Sequence, residues 1–363
     1  MKKIRAFATL GVVSCLFLVS HERVLAQESA QGNLPVSVAV RSIDEAAVSS
    51  KLDYRVHVRH VKVESMDRFS PLASGAANLK TAVQSAAKGK TASPELAPAV
   101  ADASIPGVPP PGFYPADLSY LGGPVVVTAE THNLFVDCQA KCWADPEKFQ
   151  GHLYGSNFIH VADQYVGSTA NNRYTQGKSA VVSYPIIATL SDNDILQIVH
   201  ASAATMGTGY NHIYNVFLPK GVDECFVGTT QCYSPDNPST FAFCAYHGSV
   251  TFSDIGHVLF TVEPFQDVQG CGMVQPSPNG PLVDATSSVL GHETFETITD
   301  PDPPSGWVAI NSGGVFGEEI GDLCPGVSLT QPLFEDPVIL LNGKNYEVQP
   351  MYSNKYHACS FAP

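Results

Sequence analysis

The residues best suited to chemistry lie in one segment, D-A-T-S-S-V-L-G-H-E-T-F-E-T-I-T-D-P at 284–301. If this segment is a helix, His292 and Glu296 lie four residues apart on one face, and both can bind one cation. Glu293 projects beside them and can take a proton from a water molecule on that cation. The spacing therefore predicts two metal ligands and a general base within a single helix.

The pattern H-E-x-x-E is related to the H-E-x-x-H motif of metallopeptidases, with the second histidine replaced by glutamate. It is less specific than H-E-x-x-H, and a chain with 12 histidines can contain it by accident. The competing interpretation is an exposed acidic helix whose glutamates face water and whose histidine has no role. We favour the metal site.

A catalytic zinc with four coordination positions needs a third protein ligand, which leaves one position for water. The acidic stretch G-E-E-I-G-D-L-C at 317–324 can supply it, and we expect Glu319, then Asp322, as that ligand. The alternative is a solvated loop or a structural calcium site. Zn²⁺ is the expected ion, and Ca²⁺ is the second candidate because the ligand set is rich in oxygen.

His247 lies next to Tyr246 and close to Cys244, and it is the second candidate catalytic residue after Glu293. It could hydrogen-bond a developing oxyanion or act as a ligand. A histidine in this context is also compatible with a simple core or strand residue. Three residues near the C-terminus could line a cleft or pack around a disulfide, and these are Tyr352, Tyr356 and His357.

Several elements must position these side chains. The helix is expected to begin at a cap on Thr286 or Ser287 and to end before Pro301, with its apolar side chains against the core. Mixed strands and helices without strict alternation predict an α+β body with a mixed sheet. The strands are predicted at 54–63, 123–129, 179–190, 214–219 and 258–262, and the further helices at 157–166 and 192–205.

The N-terminus predicts export. Basic residues precede an apolar run at 6–19 that is too short to span a bilayer, which is typical of a secretory signal peptide, 1–26. Residues 27–92 are interpreted as a propeptide or a small accessory region, and 93–115 as a proline-rich linker. The body is then 116–363, and the protein is expected to be extracellular or periplasmic.

Composition narrows the class of partner. A hydrophobic share of 44% with 15% charged residues can fill a core, and the net charge of −14 offers no basic surface for nucleic acid or for anionic membrane lipid. Removal of the signal peptide leaves eight of the nine cysteines, an even number that favours disulfides in an exported protein. The simplest pairing lies within three groups, namely 138 with 142, the set 225, 232, 244 and 271, and 324 with 359.

The motifs together resemble a group of secreted bacterial proteins regarded as zinc-dependent proteases, which carry S-H-E-x-x-E-x-x-T-D-P and G-E-I-G-D-x-C signatures. The likeness covers about 123–360. It implies metal-ligand roles for His292 and Glu296, a base role for Glu293 and a site role for Glu319 or Asp322. This chain differs in having Gly291 where serine is usual and in an additional Glu318, which leaves the third ligand open. A fainter likeness, in C-A-Y-H at 244–247, is to the plant EXORDIUM or phosphate-induced extracellular proteins, which are not established enzymes.

The sequence therefore predicts a disulfide-stapled, zincin-like secreted endopeptidase that hydrolyses peptide bonds through a metal-bound water. Its substrate would be a protein or peptide, bound as an added strand along 258–262. The main alternative is a non-catalytic extracellular or wall-associated binding protein with a structural cation. A hydrolase acting on glycans or on other amides is a third possibility. The sequence does not predict the oligomeric state.

Overall fold

A mixed β-sheet of eight described strands lies at the centre of the protein in a computed structural model. The described residues are 36–39, 53–60, 117–185, 189–272, 277–310, 318–324 and 336–363, all within the unit Leu34–Pro363. The predicted signal peptide and proline-rich linker lie outside them. The strands, in order across the sheet, are β1 (Val36–Ala39), β6 (Ala180–Ser183), β4 (Ala129–Val136), β8 (His212–Phe217), β12 (Gly256–Glu263), β11 (Phe243–Phe252) and β2 (Asp53–His60), with β5 (Tyr174–Gln176) beside β4.

The strand directions divide this sheet into two parts. Strands β1, β6, β4, β8 and β12 run parallel, whereas β11 is antiparallel to β12 and β2 is antiparallel to β11. The stretch 258–262 does form a strand, β12, but β8 and β11 pair with it on both sides. The expectation that this stretch offers an edge to a peptide is therefore wrong, because its backbone groups already bond to two neighbours.

Helices cover both faces of the sheet. On one face α1 (Pro146–Tyr154) and α4 (Pro281–Thr299) pack on Phe135 and its neighbours. On the other, α3 (Asp192–Met206) packs on Leu134 and Val136, which point the opposite way because successive strand residues alternate. The predicted α+β class and mixed sheet are confirmed. In the described part of the chain, no helix is both long and apolar enough to cross a membrane.

The remaining elements are short. Residues 140–143 and 158–162 form 3-10 turns, and the second continues into α2 (Asp163–Val166), so the helix predicted at 157–166 is tighter over its first half. The smaller strands are β3 (Ser119–Tyr120), β7 (Thr189–Ser191), β9 (Asp223–Cys225), β10 (Cys232–Tyr233), β13 (Trp307–Val308), β14 (Val338–Leu341), β15 (Lys344–Glu347), β16 (Met351–Ser353) and β17 (Ala358–Ser360).

The stretch 123–129 is not the strand that its sequence predicts. The amide nitrogen of Gly123 donates to the carbonyl oxygen of Ser305 at 2.7 Å, and that of Val126 donates to the carbonyl of Ile298 at 2.8 Å. These bonds tie the stretch to the end of α4 and to the turn after it. Regular pairing with the sheet begins only at Ala129.

Two strands come from the region interpreted as a propeptide or accessory segment. β1 pairs with β6 at one edge of the sheet, and β2 pairs with β11 at the other. The predicted strand at 54–63 corresponds to β2, although its last residues lie outside the described part. Removal of 27–92 stays a prediction, and it would take both edge strands with it.

Four disulfides staple the body. They join Cys138 to Cys142, Cys225 to Cys232, Cys244 to Cys271 and Cys324 to Cys359. Pairing within the three predicted groups is thus confirmed. The last of these bonds ties the acidic stretch around 319–322 to the C-terminal hairpin of β16 and β17.

Candidate metal centre

Helix α4 carries the H-E-x-x-E pattern through the interior of the protein. It begins at Pro281, five residues before the predicted cap, because proline suits the first helical position and its missing N–H costs no hydrogen bond there. The carboxylate of Asp284 accepts hydrogen bonds from Ser277 Oγ and from the backbone nitrogen of Asn279, both at 2.8 Å. These contacts stabilise the first turn of the helix, which therefore begins earlier in the chain than Thr286.

Every residue of α4 from Asp284 to Thr299 is buried. The hydroxyls of Thr294, Thr297 and Thr299 donate to backbone carbonyls one turn earlier, at 2.6 to 3.0 Å, and so are satisfied without water. The competing interpretation of a water-facing acidic helix therefore does not describe this helix. Its histidine and glutamates face protein groups.

His292 lies close to both Glu296 and Asp322. His292 Nε2 lies 3.0 Å from Glu296 Oε1 and 3.5 Å from Asp322 Oδ1. Ligand atoms about 2.0–2.2 Å from a tetrahedral zinc lie roughly 3.2–3.6 Å from one another, so the separation of His292 and Asp322 suits two ligands of one ion, and His292 and Glu296 lie slightly closer. Two groups at this site have all their ligand atoms within 4.8 Å of one another: His57, Glu296 and Asp322, and His247, Glu293 and Glu296. Of the two acids expected as third ligand, Asp322 is the one beside His292.

The acidic stretch is held against α4 by the C-terminal hairpin. The backbone nitrogen of Tyr352 donates to the carbonyl of Ile320 at 2.9 Å, and the side-chain amide of Gln349 donates to the carbonyl of Gly321. A Cβ atom on Gly321 would lie 2.4 Å from His292 Nδ1, so only glycine allows the stretch to come this close. The backbone nitrogen of Gly321 also donates to Glu296 Oε1 at 3.2 Å.

His247 lies in β11, and its side chain lies beside the predicted base. Its Nδ1 is 3.4 Å from Glu293 Oε2 and 3.6 Å from Glu296 Oε2, and its Nε2 is 3.6 Å from Glu319 Oε2. The same Nε2 donates to the backbone carbonyl of Asp300 at 3.1 Å. The two predicted catalytic residues, Glu293 and His247, therefore lie side by side. His247 also lies beside Glu296, which in turn lies beside His292.

His57 is the member of this site that the sequence reasoning missed. It lies in β2, directly opposite His247 in β11, with the two ring centroids 5.8 Å apart. Its Nε2 is 2.5 Å from Asp322 Oδ2, and its Nδ1 is 3.4 Å from Glu319 Oε1. The alternation of β2 marked it as a residue of one strand face, but only the register with β11 identifies its neighbours.

The chemistry of the donor set fits a cation. Four carboxylates and three imidazoles, with Asp300 beside them, meet in a largely buried space, and carboxylates packed together without a counter-ion repel one another. Among the described residues, many of their buried atoms lack hydrogen-bond partners, which is costly unless an ion satisfies them. These atoms are His247 Nδ1, His292 Nδ1 and Nε2, Glu293 Oε1 and Oε2, Glu296 Oε2, Asp300 Oδ2, and Glu319 Oε1 and Oε2.

The protonation of the group reflects this crowding. Burial lowers the pKa of His247, but the adjacent carboxylates of Glu293 and Glu296 outweigh this effect and raise the pKa to about 10. Burial, with the nearby charges of Asp300 and Glu296, raises the pKa of Glu319 well above its usual range. The site therefore holds protons that a bound cation would displace.

A second group of possible ligands lies elsewhere on the sheet. Glu130 and His132 in β4 and His212 in β8 bring their ligand atoms within 4.8 Å of one another. His132 Nδ1 donates to the carbonyl of Lys178 at 3.1 Å, and its Nε2 lies 3.0 Å from His212 Nδ1. These histidines satisfy each other, so this group lacks the unpartnered atoms of the first.

The C-terminal candidates lie outside the centre. Tyr352 donates to Asp117 Oδ1 at 3.1 Å, His357 Nδ1 lies 2.9 Å from the same oxygen, and Tyr356 donates to the carbonyl of Pro363. These contacts fasten the C-terminal hairpin to the start of the body. These contacts agree with the interpretation that the three residues pack within the fold and not with the interpretation that they line a cleft.

Comparison of the chain with protein-family models, with curated proteins and with solved structures finds no match.

Proposed function

We propose that the protein is a secreted zinc-dependent endopeptidase of zincin-like architecture. The observation that carries the proposal is the cluster of buried histidines and carboxylates around α4, in which His292 adjoins Glu296 and Asp322 and His247 adjoins Glu293 and Glu296. The placement of α4 under β11 and β12 supports it, as do the predicted signal peptide and the four disulfides, which are typical of exported proteins.

His292, Asp322 and Glu296 would hold the ion. One imidazole and two carboxylates are an accepted ligand set for zinc, and the imidazole favours zinc over calcium, which prefers oxygen alone. When bound, the ion would polarise the scissile carbonyl and lower the pKa of a water molecule. Glu319 lies toward His57 and His247 and would support the site from outside the ligand set.

Glu293 would move the proton. It takes one proton from the attacking water, whose oxygen forms a bond to the carbonyl carbon of the peptide. The carbon–nitrogen bond then breaks, and the proton passes from Glu293 to the leaving amine. The Nδ1–H of His247, beside Glu293, offers a hydrogen bond to the negative charge that develops on the carbonyl oxygen.

Elemental analysis of the purified, secreted protein tests the proposal. One zinc per chain is expected, with loss of the ion in His292→Ala and no loss in His200→Ala, whose imidazole pairs with Asp254 at the surface. Hydrolysis of an unfolded polypeptide should follow the zinc content and stop on chelation. A well-folded protein that contains calcium or no metal would contradict this mechanism.

One observation favours the competing function, a non-catalytic extracellular binding protein with a structural cation. Structural zinc sites are closed by four protein ligands, and His57 is a candidate fourth ligand because its ligand atom lies within 4.8 Å of those of Glu296 and Asp322. If this is the function, chelation lowers the unfolding temperature and Glu293→Gln changes neither stability nor binding.

A further inference from the structure

β2 occupies a particular place in the protein. It is an edge strand, it comes from the segment before the body, and the chain between it and Asp117 lies outside the described residues. Its side chains alternate in the expected way. Tyr54, Val56 and Val58 pack on the α3 face of the sheet, and His57 points to the other face, where the metal centre lies.

The contact between β2 and β11 is close. A Cβ atom on Gly248 would lie 2.1 Å from the carbonyl oxygen of Arg55, and its three nearest atoms all belong to β2. Gly248 therefore permits the close approach of β2 to β11. The absence of a side chain at this position of β11 leaves room for a neighbouring strand.

β2 also closes the metal centre. The side chains of His247, Glu293, Glu296 and Glu319 have no exposed surface, whereas that of His57 is 18% exposed and that of Asp322 is 8% exposed. Among the described groups of the centre, these two are the most exposed, and the side chain of His292 is 2% exposed. Movement of β2 away from β11 would uncover the ligands and the strand edge together.

We propose, on the basis of the proposed function, that the edge of β11 is the binding site for an extended polypeptide substrate and that β2 is its intramolecular occupant. A polypeptide in the place of β2 would pair antiparallel with β11, and its residue opposite His247 would lie at the metal centre. In the resting protein that residue is His57. Its Nε2 lies 2.5 Å from Asp322 Oδ2, so its imidazole would fill the space beside the ion that water and substrate need.

The access of a small ligand tests the closure without any assay of hydrolysis. The full chain is loaded with Co²⁺, and imidazole is titrated while the visible absorption of the metal is recorded. We expect His57→Ala to keep one metal per chain and to bind imidazole at least tenfold more tightly than the wild type. The matched control is Arg55→Ala, a change on the same strand at a side chain that pairs with Asp53, and it should behave as the wild type does.

A second variant tests the strand itself. Val58→Asp places a charge where β2 packs on the core, so amides of 53–60 should exchange at least tenfold faster while those of α4 stay protected. Imidazole should then enter as it does in His57→Ala. The added peptide D-Y-R-V-H-V-R-H, the sequence of β2, should exclude imidazole again, and the same peptide with His57→Ala should not.

The results separate this inference from the proposed function. Equal binding of imidazole to the wild type and His57→Ala, or loss of the metal in His57→Ala, would overturn the closure. Both variants should also hydrolyse an unfolded polypeptide at least tenfold faster per bound metal than the wild type. If imidazole behaves as expected but no form hydrolyses polypeptide, the proposed function fails and the closure by β2 stands.

Discussion

His292 and Glu296 meet one helical turn apart in the interior of the protein, with Nε2 and Oε1 separated by 3.0 Å. Neither group is exposed to water, and Nε2 has no hydrogen-bond partner among the described residues. Two such side chains in one helix are oriented by the helix itself and need little further ordering to bind an ion. The helix fixes the relative positions of these two side chains, and Asp322 joins them from a separate stretch of chain.

Glu293→Gln should separate catalysis from metal binding. The change keeps the shape of the side chain but removes the carboxylate that takes the proton, so the rate should fall roughly 10²- to 10⁴-fold. Metal content should stay at the wild-type level because His292, Glu296 and Asp322 are unchanged. Turnover and elemental analysis of the same preparation check this, with Asp254→Asn as a surface carboxylate control. Retained turnover would exclude Glu293 as the base.

Asp322→Asn and Glu319→Gln should differ. Asp322 lies 3.5 Å from His292 Nε2, whereas Glu319 contacts His57 and His247. Loss of a direct ligand should weaken zinc binding by at least about tenfold, and Asp322→Asn should show that loss. Competition with a chromophoric chelator measures both affinities. A larger loss of zinc affinity in Glu319→Gln than in Asp322→Asn would identify Glu319 as the third ligand.

Gly321→Ala should disturb the centre without the loss of any ligand. The added Cβ would meet His292 Nδ1 at 2.4 Å and Glu296 Oε1 at 2.9 Å, so the acidic stretch or the imidazole must move. We expect zinc affinity to fall at least about tenfold, because small misplacements of ligands cost affinity. Gly151→Ala is the matched control, since its nearest neighbour would lie 3.9 Å away. Equal affinities for the two variants would contradict the close approach.

Glu224 should make the stability depend on pH. Burial, with the nearby charges of Asp192 and Asp194, raises its pKa to about 8, although a hydrogen bond from Tyr246 opposes the shift. The unfolded chain loses this proton near its usual pKa of 4.5, while the folded protein keeps it until about pH 8, so stability falls as pH rises across that window.

Glu224→Gln removes this titration and should become more stable than the wild type by a margin that grows from pH 5 to pH 8. The margin can grow by at most about 1.4 kcal/mol per pH unit. Urea unfolding at several pH values measures it, and Asp267→Asn, at an exposed carboxylate, serves as the control. A margin that does not change with pH would mean that Glu224 is ionised in the folded protein.

Local patterns in the sequence predicted much of the protein. The helix at 192–205, the strands near 214–219 and 258–262, the α+β class and the grouping of the cysteines all agree with the structure. The spacing of His292, Glu293 and Glu296 in one helix could also be derived, because helical geometry depends on neighbours along the chain. Each of these features depends on residues that lie close together in the chain, so local propensity and periodicity determine it.

Tertiary structure decided which distant residues join that helix. His57 lies 265 residues from Asp322 in the chain, and their 2.5 Å contact depends on the pairing of β2 with β11. The place of β12 inside the sheet and the irregular path of 123–128 likewise follow from long-range hydrogen bonds. Periodic patterns in the sequence do not identify such partners, because the free energy of strand pairing depends on which strand the complete fold places alongside. The sequence therefore determined the reactive helix, and the fold determined what surrounds and closes it.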